Sequence, residues 1–96
     1  MKMNLAVGLK DLAGNQIVDG NNAPILLSKQ LANIIISEEA KDNPAQKYEL
    51  ATRLFNANGA MEITESEKEI IKSVCNSGRL TVLFAAQILN IVNNAK

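Results

Sequence analysis

Oxygen-bearing side chains with the spacing of an ion site gather in one stretch, Phe55 to Glu67, between two helix-like segments. Its outline is that of a calcium-binding loop. With Ile63 at the apolar eighth position, Asn56, Asn58 and Glu67 fall on the first, third and twelfth positions, where oxygen ligands are required. The fifth position is then Ala60, the sixth is Met61 in place of glycine, and Gly59 sits at the fourth. One carboxylate among the key ligands is too little negative charge to offset stripping water from a divalent cation. The stretch reads better as a tight helix–loop–helix connection. Asn58-Gly59 stops one helix through a left-handed cap, and Thr64 with Glu67 three residues later forms a capping box that starts the next. A small ligand- or ion-binding regulator using residues 56–67 is the alternative to the function reached below.

Other chemistry has less to work with. The chain has no histidine, which removes Ser–His and Cys–His nucleophiles. Its one cysteine, Cys75, cannot close an internal disulfide and falls on an apolar helix face, where it is expected to be a small buried hydrophobe. Metal sites lack the usual His and Cys ligands. Paired acids occur at Glu38-Glu39 and at Glu65, Glu67 and Glu69. Glu65 faces Lys68 and Glu69 faces Lys72 at the spacing of ordinary surface ion pairs. Glu62 with Glu67 is the one pair left for acid–base work. The expectation is a chain with no catalytic residue, no cofactor and no metal, and so not an enzyme.

Composition bounds the rest. The 96 residues make one domain, 47% hydrophobic and 21% charged, in the ordinary range for a folded globular chain. Lys plus Arg equals Asp plus Glu at 10 each. Zero net charge removes the electrostatic footprint of nucleic-acid binding, and the scattered basic residues have no aromatic neighbours to stack bases. No apolar run reaches the roughly 18 residues of a membrane span. The first residues lack a signal peptide's apolar stretch, so the expected location is cytoplasmic.

These residues need elements to position them. From Met3 to Leu9 the apolar residues alternate, the period of a strand with one buried face. Ala13-Gly14-Asn15 supplies a turn, and Gln16-Ile17-Val18 can pair back to close a hairpin. Pro24 keeps the chain extended into Ile25-Leu26. Ser28 is the expected N-cap of a helix from about Lys29 to Glu39, with Leu31, Ala32, Ile35 and Ile36 as its apolar stripe. Asp42-Asn43-Pro44 breaks the chain and starts a second helix, whose stripe is Tyr48, Ala51, Leu54 and Phe55. The third runs from Thr64 to Gly78 with Ile70, Ile71, Val74 and Cys75 inward. The fourth, about Arg79 to Asn93, is apolar on nearly every side. No internal repeat, linker or low-complexity segment is evident. The fold class is therefore α+β and mainly helical: an N-terminal β-hairpin and extended arm over 1–27, packed on about four short helices over 28–96.

A helix apolar all round is either the centre of a bundle or part of a subunit interface. The candidate partner contacts are Leu83, Phe84, Ile88 and Ile91, and the expected partner is another protein or a second copy of the chain. Three segments, 8–17 (Gly-Leu-Lys-Asp-Leu-Ala-Gly-Asn-Gln-Ile), 47–55 (Lys-Tyr-Glu-Leu-Ala-Thr-Arg-Leu-Phe) and 80–89 (Leu-Thr-Val-Leu-Phe-Ala-Ala-Gln-Ile-Leu), together resemble small proteins encoded by tailed bacteriophages and prophages. The resemblance implies a phage accessory role: virion or tail assembly, or binding a host protein. It places the chain in the host cytoplasm or with the virion. It transfers no functional residue, because the shared segments are packing and turn patterns.

Overall fold

The computed structural model describes residues 1–37 and 43–95. In chain order the elements are strand β1 (Lys2–Met3), helices α1 (Leu27–Ile36) and α2 (Pro44–Asn56), strand β2 (Met61–Glu62), and helices α3 (Glu65–Cys75) and α4 (Val82–Asn93). The fold is mainly helical α+β, as the patterns predict. Glu38, Glu39 and Asp42, invoked as an acid pair and as part of a chain break, lie outside the described residues.

The alternation at the N-terminus does select the buried face, for Met3, Leu5 and Leu9 all enter the core. It does not produce one regular strand, because the segment meets three different partners. Met3 pairs antiparallel with Met61. Lys10 bridges to Gln16 across the predicted turn, and Gly8 bridges to Leu26. A third bridge, Val18 to Pro24, completes the set.

These bridges reveal a repeat that composition conceals. Leu9, Ile17 and Ile25 are spaced eight apart and hydrogen-bond in a ring. Leu9 N–H donates to Ile25 O at 2.7 Å, Ile25 N–H to Ile17 O at 3.4 Å, and Ile17 N–H to Leu9 O at 2.8 Å. The connecting turns are equivalent. Asp11 Oδ1 accepts from the N–H groups of Ala13 and Asn15, and Asp19 Oδ1 accepts from those of Asn21 and Ala23. Each turn then needs a left-handed residue at the same place, supplied once by Gly14 (φ 88°) and once by Asn22 (φ 62°). Both types tolerate that region cheaply. Two octads thus share geometry while sharing only their aspartate and an apolar first residue, too little identity to show as a repeat in the chain.

The same segment starts α1. The first amides of a helix have no intrahelical partner. Here Leu27 N–H donates to Val7 O and Ser28 N–H to Leu5 O, at 2.9 and 2.8 Å. Carbonyls of the N-terminal arm therefore do what a side-chain cap would do, and the helix begins at Leu27, with Leu26 as the residue before it. Ser28 is not the N-cap. It is fully buried, and its hydroxyl has no hydrogen-bond partner. A buried hydroxyl left unpaired is destabilising, so Ser28→Ala is expected to raise stability by about 1 kcal/mol. A urea melt checks this, and a lower midpoint would contradict it.

Pro44 takes the first turn of α2 as predicted, after Asn43 in the left-handed region. The other end differs from expectation. Ala57 is extended (ψ 135°), and Gly59 is not left-handed. Asn56 Nδ2 instead donates to Thr52 O at 2.9 Å, which satisfies a last-turn carbonyl and lets the chain run straight into β2. Gly78 is left-handed (φ 83°) beyond α3. Helix α4 starts later than Arg79, at Val82, because the Thr81 hydroxyl accepts from Phe84 N–H and caps it.

Helix α1 packs chiefly on α2, and α3 on α4. Between them Leu5, Leu31, Leu50, Leu54, Ile71, Ile88 and Val92 form one continuous core with the N-terminal segment. Each such side chain contributes roughly 1.5–3 kcal/mol by leaving water.

Candidate functional site

Two features could carry function: a polar junction under the 56–67 loop, and an apolar groove between α1 and α2. The junction is built around Arg53 in the last turn of α2. Its Nη1 donates to Glu62 O at 3.0 Å, and its Nη2 pairs with Glu67 Oε2. Glu49 Oε1, one turn earlier, lies 3.8 Å from Nε. Glu67 is only 6% exposed, and its other oxygen accepts from Thr64 N–H at 2.9 Å. Thr64 Oγ1 returns the bond by accepting from Glu67 N–H at 3.2 Å. The predicted capping box is therefore present, and its buried glutamate also seats the partly exposed Arg53 guanidinium.

This arrangement decides how the calcium-like outline is used. Asn56 caps its own helix, and the backbone of Glu62 is held by Arg53. The positive charge beside Glu67 is already supplied by a side chain. Glu62 directs its carboxylate outward, within 4.0 Å of Lys2 Nζ. Among the described residues no three acid, cysteine or histidine side chains are placed to hold a metal ion. Glu62 and Glu67 line the same shallow hollow with Glu49 and Arg53, but Glu67 is engaged on both oxygens. Of the other acids expected to pair along α3, neither Glu65 nor Glu69 reaches a lysine within ion-pair distance among the described residues.

Cys75 is buried, as its position on the apolar face predicts. Burial penalises the thiolate and pushes the thiol up from its ordinary 9.0 to about 11. The folded state therefore holds the proton more tightly than the unfolded chain. That contribution to stability is whole below about pH 9 and is lost as pH rises through 9 to about 11. Two results are expected: iodoacetamide labels Cys75 slowly in the native protein and rapidly in urea, and the urea midpoint falls above pH 9. Fast native labelling at neutral pH would contradict both.

The groove is the site that periodicity missed. Its floor is Ala32 of α1 and Ala51 of α2, and its walls are Ile36, Tyr48 and Phe55, with Asn33, Thr52 and Asn56 as the polar lining. It encloses about 280 Å³ and carries no charged side chain. Ile36 is 58% exposed, Tyr48 70% and Phe55 46%. Both helices have more apolar surface than the core uses. Leu50, Ala51 and Leu54 face inward on α2, so Tyr48 and Phe55, expected in the buried stripe, stand at its edge. Ile36 does the same on α1. Small residues at 32 and 51 let the backbones approach while the large ones splay outward. Lys29 Nζ lies 5.0 Å from the Phe55 ring centre, a cation–π contact that holds this wall from the α1 side.

The residues expected to meet a partner are divided. Ile88 is fully buried in the chain's own core and is not available for contact. Leu83, Phe84 and Ile91 are half-buried and pack against that core. Helix α4 buries one face, Ala85, Ile88 and Val92, leaves Val82 exposed, and is partly covered by α3 and the N-terminal segment. Gln87 shows how. Its Nε2 donates to Lys10 O at 2.7 Å and its Oε1 accepts from Lys10 N–H at 3.1 Å. A side-chain amide thereby completes the backbone pairing of the N-terminal ring and seats it on α4.

No helix among the described residues is long and apolar enough to cross a membrane. Compared with protein-family models, with curated proteins and with solved structures, the chain matches none.

Proposed function

We propose that the protein is a non-enzymatic accessory protein that acts by protein–protein contact and that it self-associates through the α1–α2 groove. The observation that carries this reading is the uncharged apolar groove walled by Ile36, Tyr48 and Phe55. Exposed aromatic anchors over a shallow pocket are the usual energetic centre of a protein interface. A second copy suits the chemistry. The lining has no charge to desolvate, and a zero net charge gives two copies no long-range repulsion. A two-fold arrangement would set groove against groove, Tyr48 and Phe55 of each copy filling the hollow over Ala32 and Ala51 of the other.

The resemblance of the three segments to small proteins of tailed bacteriophages and prophages supports placing this contact in virion or tail assembly or in binding a host protein. Its setting would then be the host cytoplasm or the virion. Sedimentation velocity across a concentration series tests self-association. The mass is expected to rise toward twice 10.4 kDa, and a constant monomer would contradict it.

A further inference from the structure

We infer that Asn58 is a site of spontaneous covalent modification, a deamidation that the fold presents instead of suppressing. Asn58-Gly59 is the one Asn-Gly pair in the chain. It lies in the connection between α2 and β2, with Asn58 exposed. The reaction needs a free side-chain amide and a free backbone nitrogen on the next residue. Among the described residues nothing hydrogen-bonds to the Asn58 side chain or to Gly59 N–H. Space is open as well, since even a Cβ at Gly59 would meet no atom within 4 Å.

The contrast with other asparagines is physical. The N–H after Asn22 is held by Asp19 Oδ1, and the N–H after Asn76 donates to Val74 O at 3.2 Å. Asn76 also spends its own amide on Lys72 O at 2.9 Å. Those nitrogens cannot attack without breaking a bond first. Gly59 N can.

The chemistry balances without any cofactor. Gly59 N attacks Asn58 Cγ, the new N–C bond forms, the Cγ–Nδ2 bond breaks, and ammonia leaves with the proton from the attacking nitrogen. Water then opens the succinimide at either carbonyl, giving aspartate or isoaspartate. Either product adds a negative charge just beyond the C-terminus of α2, where the helix dipole disfavours it. Isoaspartate also adds a backbone carbon ahead of β2. There Met61 must stay opposite Met3, and Ile63 N–H must reach Met1 O at 2.8 Å. The modification therefore loosens the attachment of the N-terminal segment with age.

The test incubates the full chain at mildly alkaline pH, folded and in urea, and follows two tryptic peptides by mass. Residues 54–68 carry Asn58, and residues 73–79 carry Asn76. Peptide 54–68 is expected to gain one dalton in the folded chain at a rate within about threefold of that in urea, because no hydrogen bond protects it. Isoaspartyl methyltransferase should label it, and peptide 73–79 should change only in urea. Gly59→Ala is expected to slow the conversion on the order of tenfold, since a side chain restricts the approach of the nitrogen. Conversion in urea but not in the folded chain would overturn the inference. So would no conversion in either state, or a Gly59→Ala rate equal to that of the natural sequence.

Discussion

Glu67→Ala is expected to lower the stability of the protein by about 3 kcal/mol, a large share of the 5–15 kcal/mol of an ordinary domain. Two losses combine. The capping box loses its reciprocal half, worth about 1 kcal/mol. The Arg53 guanidinium loses the carboxylate that neutralises it beneath the loop. Removing one partner of a fully buried pair costs roughly 3–5 kcal/mol. Arg53 is 38% exposed, so water recovers part of that cost and about 2 kcal/mol of it remains. Glu67→Gln separates the two terms, because glutamine can still accept from Thr64 N–H. It should lose about half as much as the alanine variant. Arg53→Ala should cost a similar amount to Glu67→Ala, and the double variant should cost less than the sum of the two, since both remove the same interaction. Urea melts of the four proteins check the pattern. Additive losses would contradict the shared network.

Ile88→Ala should destabilise by roughly 3–4 kcal/mol without altering the association state. Ile88 is fully buried between α4 and the rest of the core, so truncation removes transfer energy and leaves a cavity. Its place in an apolar helix made it a candidate for partner contact, and its burial makes it a core residue. Sedimentation of the variant below its unfolding transition gives the check. Dissociation with little loss of stability would restore Ile88 to an interface.

The places where local pattern predicts structure are those where the cause is itself local. The Thr64–Glu67 box needs only residues three apart, and it forms. Pro44 needs only its own ring to favour a first turn. The alternation from Met3 to Leu9 identifies the buried face, because burial there depends on side-chain direction alone. The misses have distant causes. Ser28 has the chemistry of a cap, but Leu5 and Val7 carbonyls satisfy the first amides and move the helix start to Leu27. The octad ring depends on three segments meeting, and nothing in any one of them announces the other two. The groove was hidden for a related reason. A stripe such as Tyr48, Ala51, Leu54 and Phe55 tells that one face is apolar, not how much of it the core will cover. Here the core takes Leu50, Ala51 and Leu54 and leaves the aromatics outside. Two adjacent apolar stripes on one helix, Leu50–Leu54 beside Tyr48–Phe55, are the signal that could have found it.

In the proposed function, contact runs through the α1–α2 groove. Multi-angle light scattering of the natural chain beside Phe55→Glu and Phe84→Glu tests it most directly. Phe55 is a wall of the groove and half exposed, whereas Phe84 packs against the core. The account predicts a dimer for the natural chain, a folded monomer for Phe55→Glu, and for Phe84→Glu a destabilised protein that still dimerises while folded. A Phe55→Glu protein that remains dimeric, with Phe84→Glu a stable monomer, would contradict it and return the interface to α4.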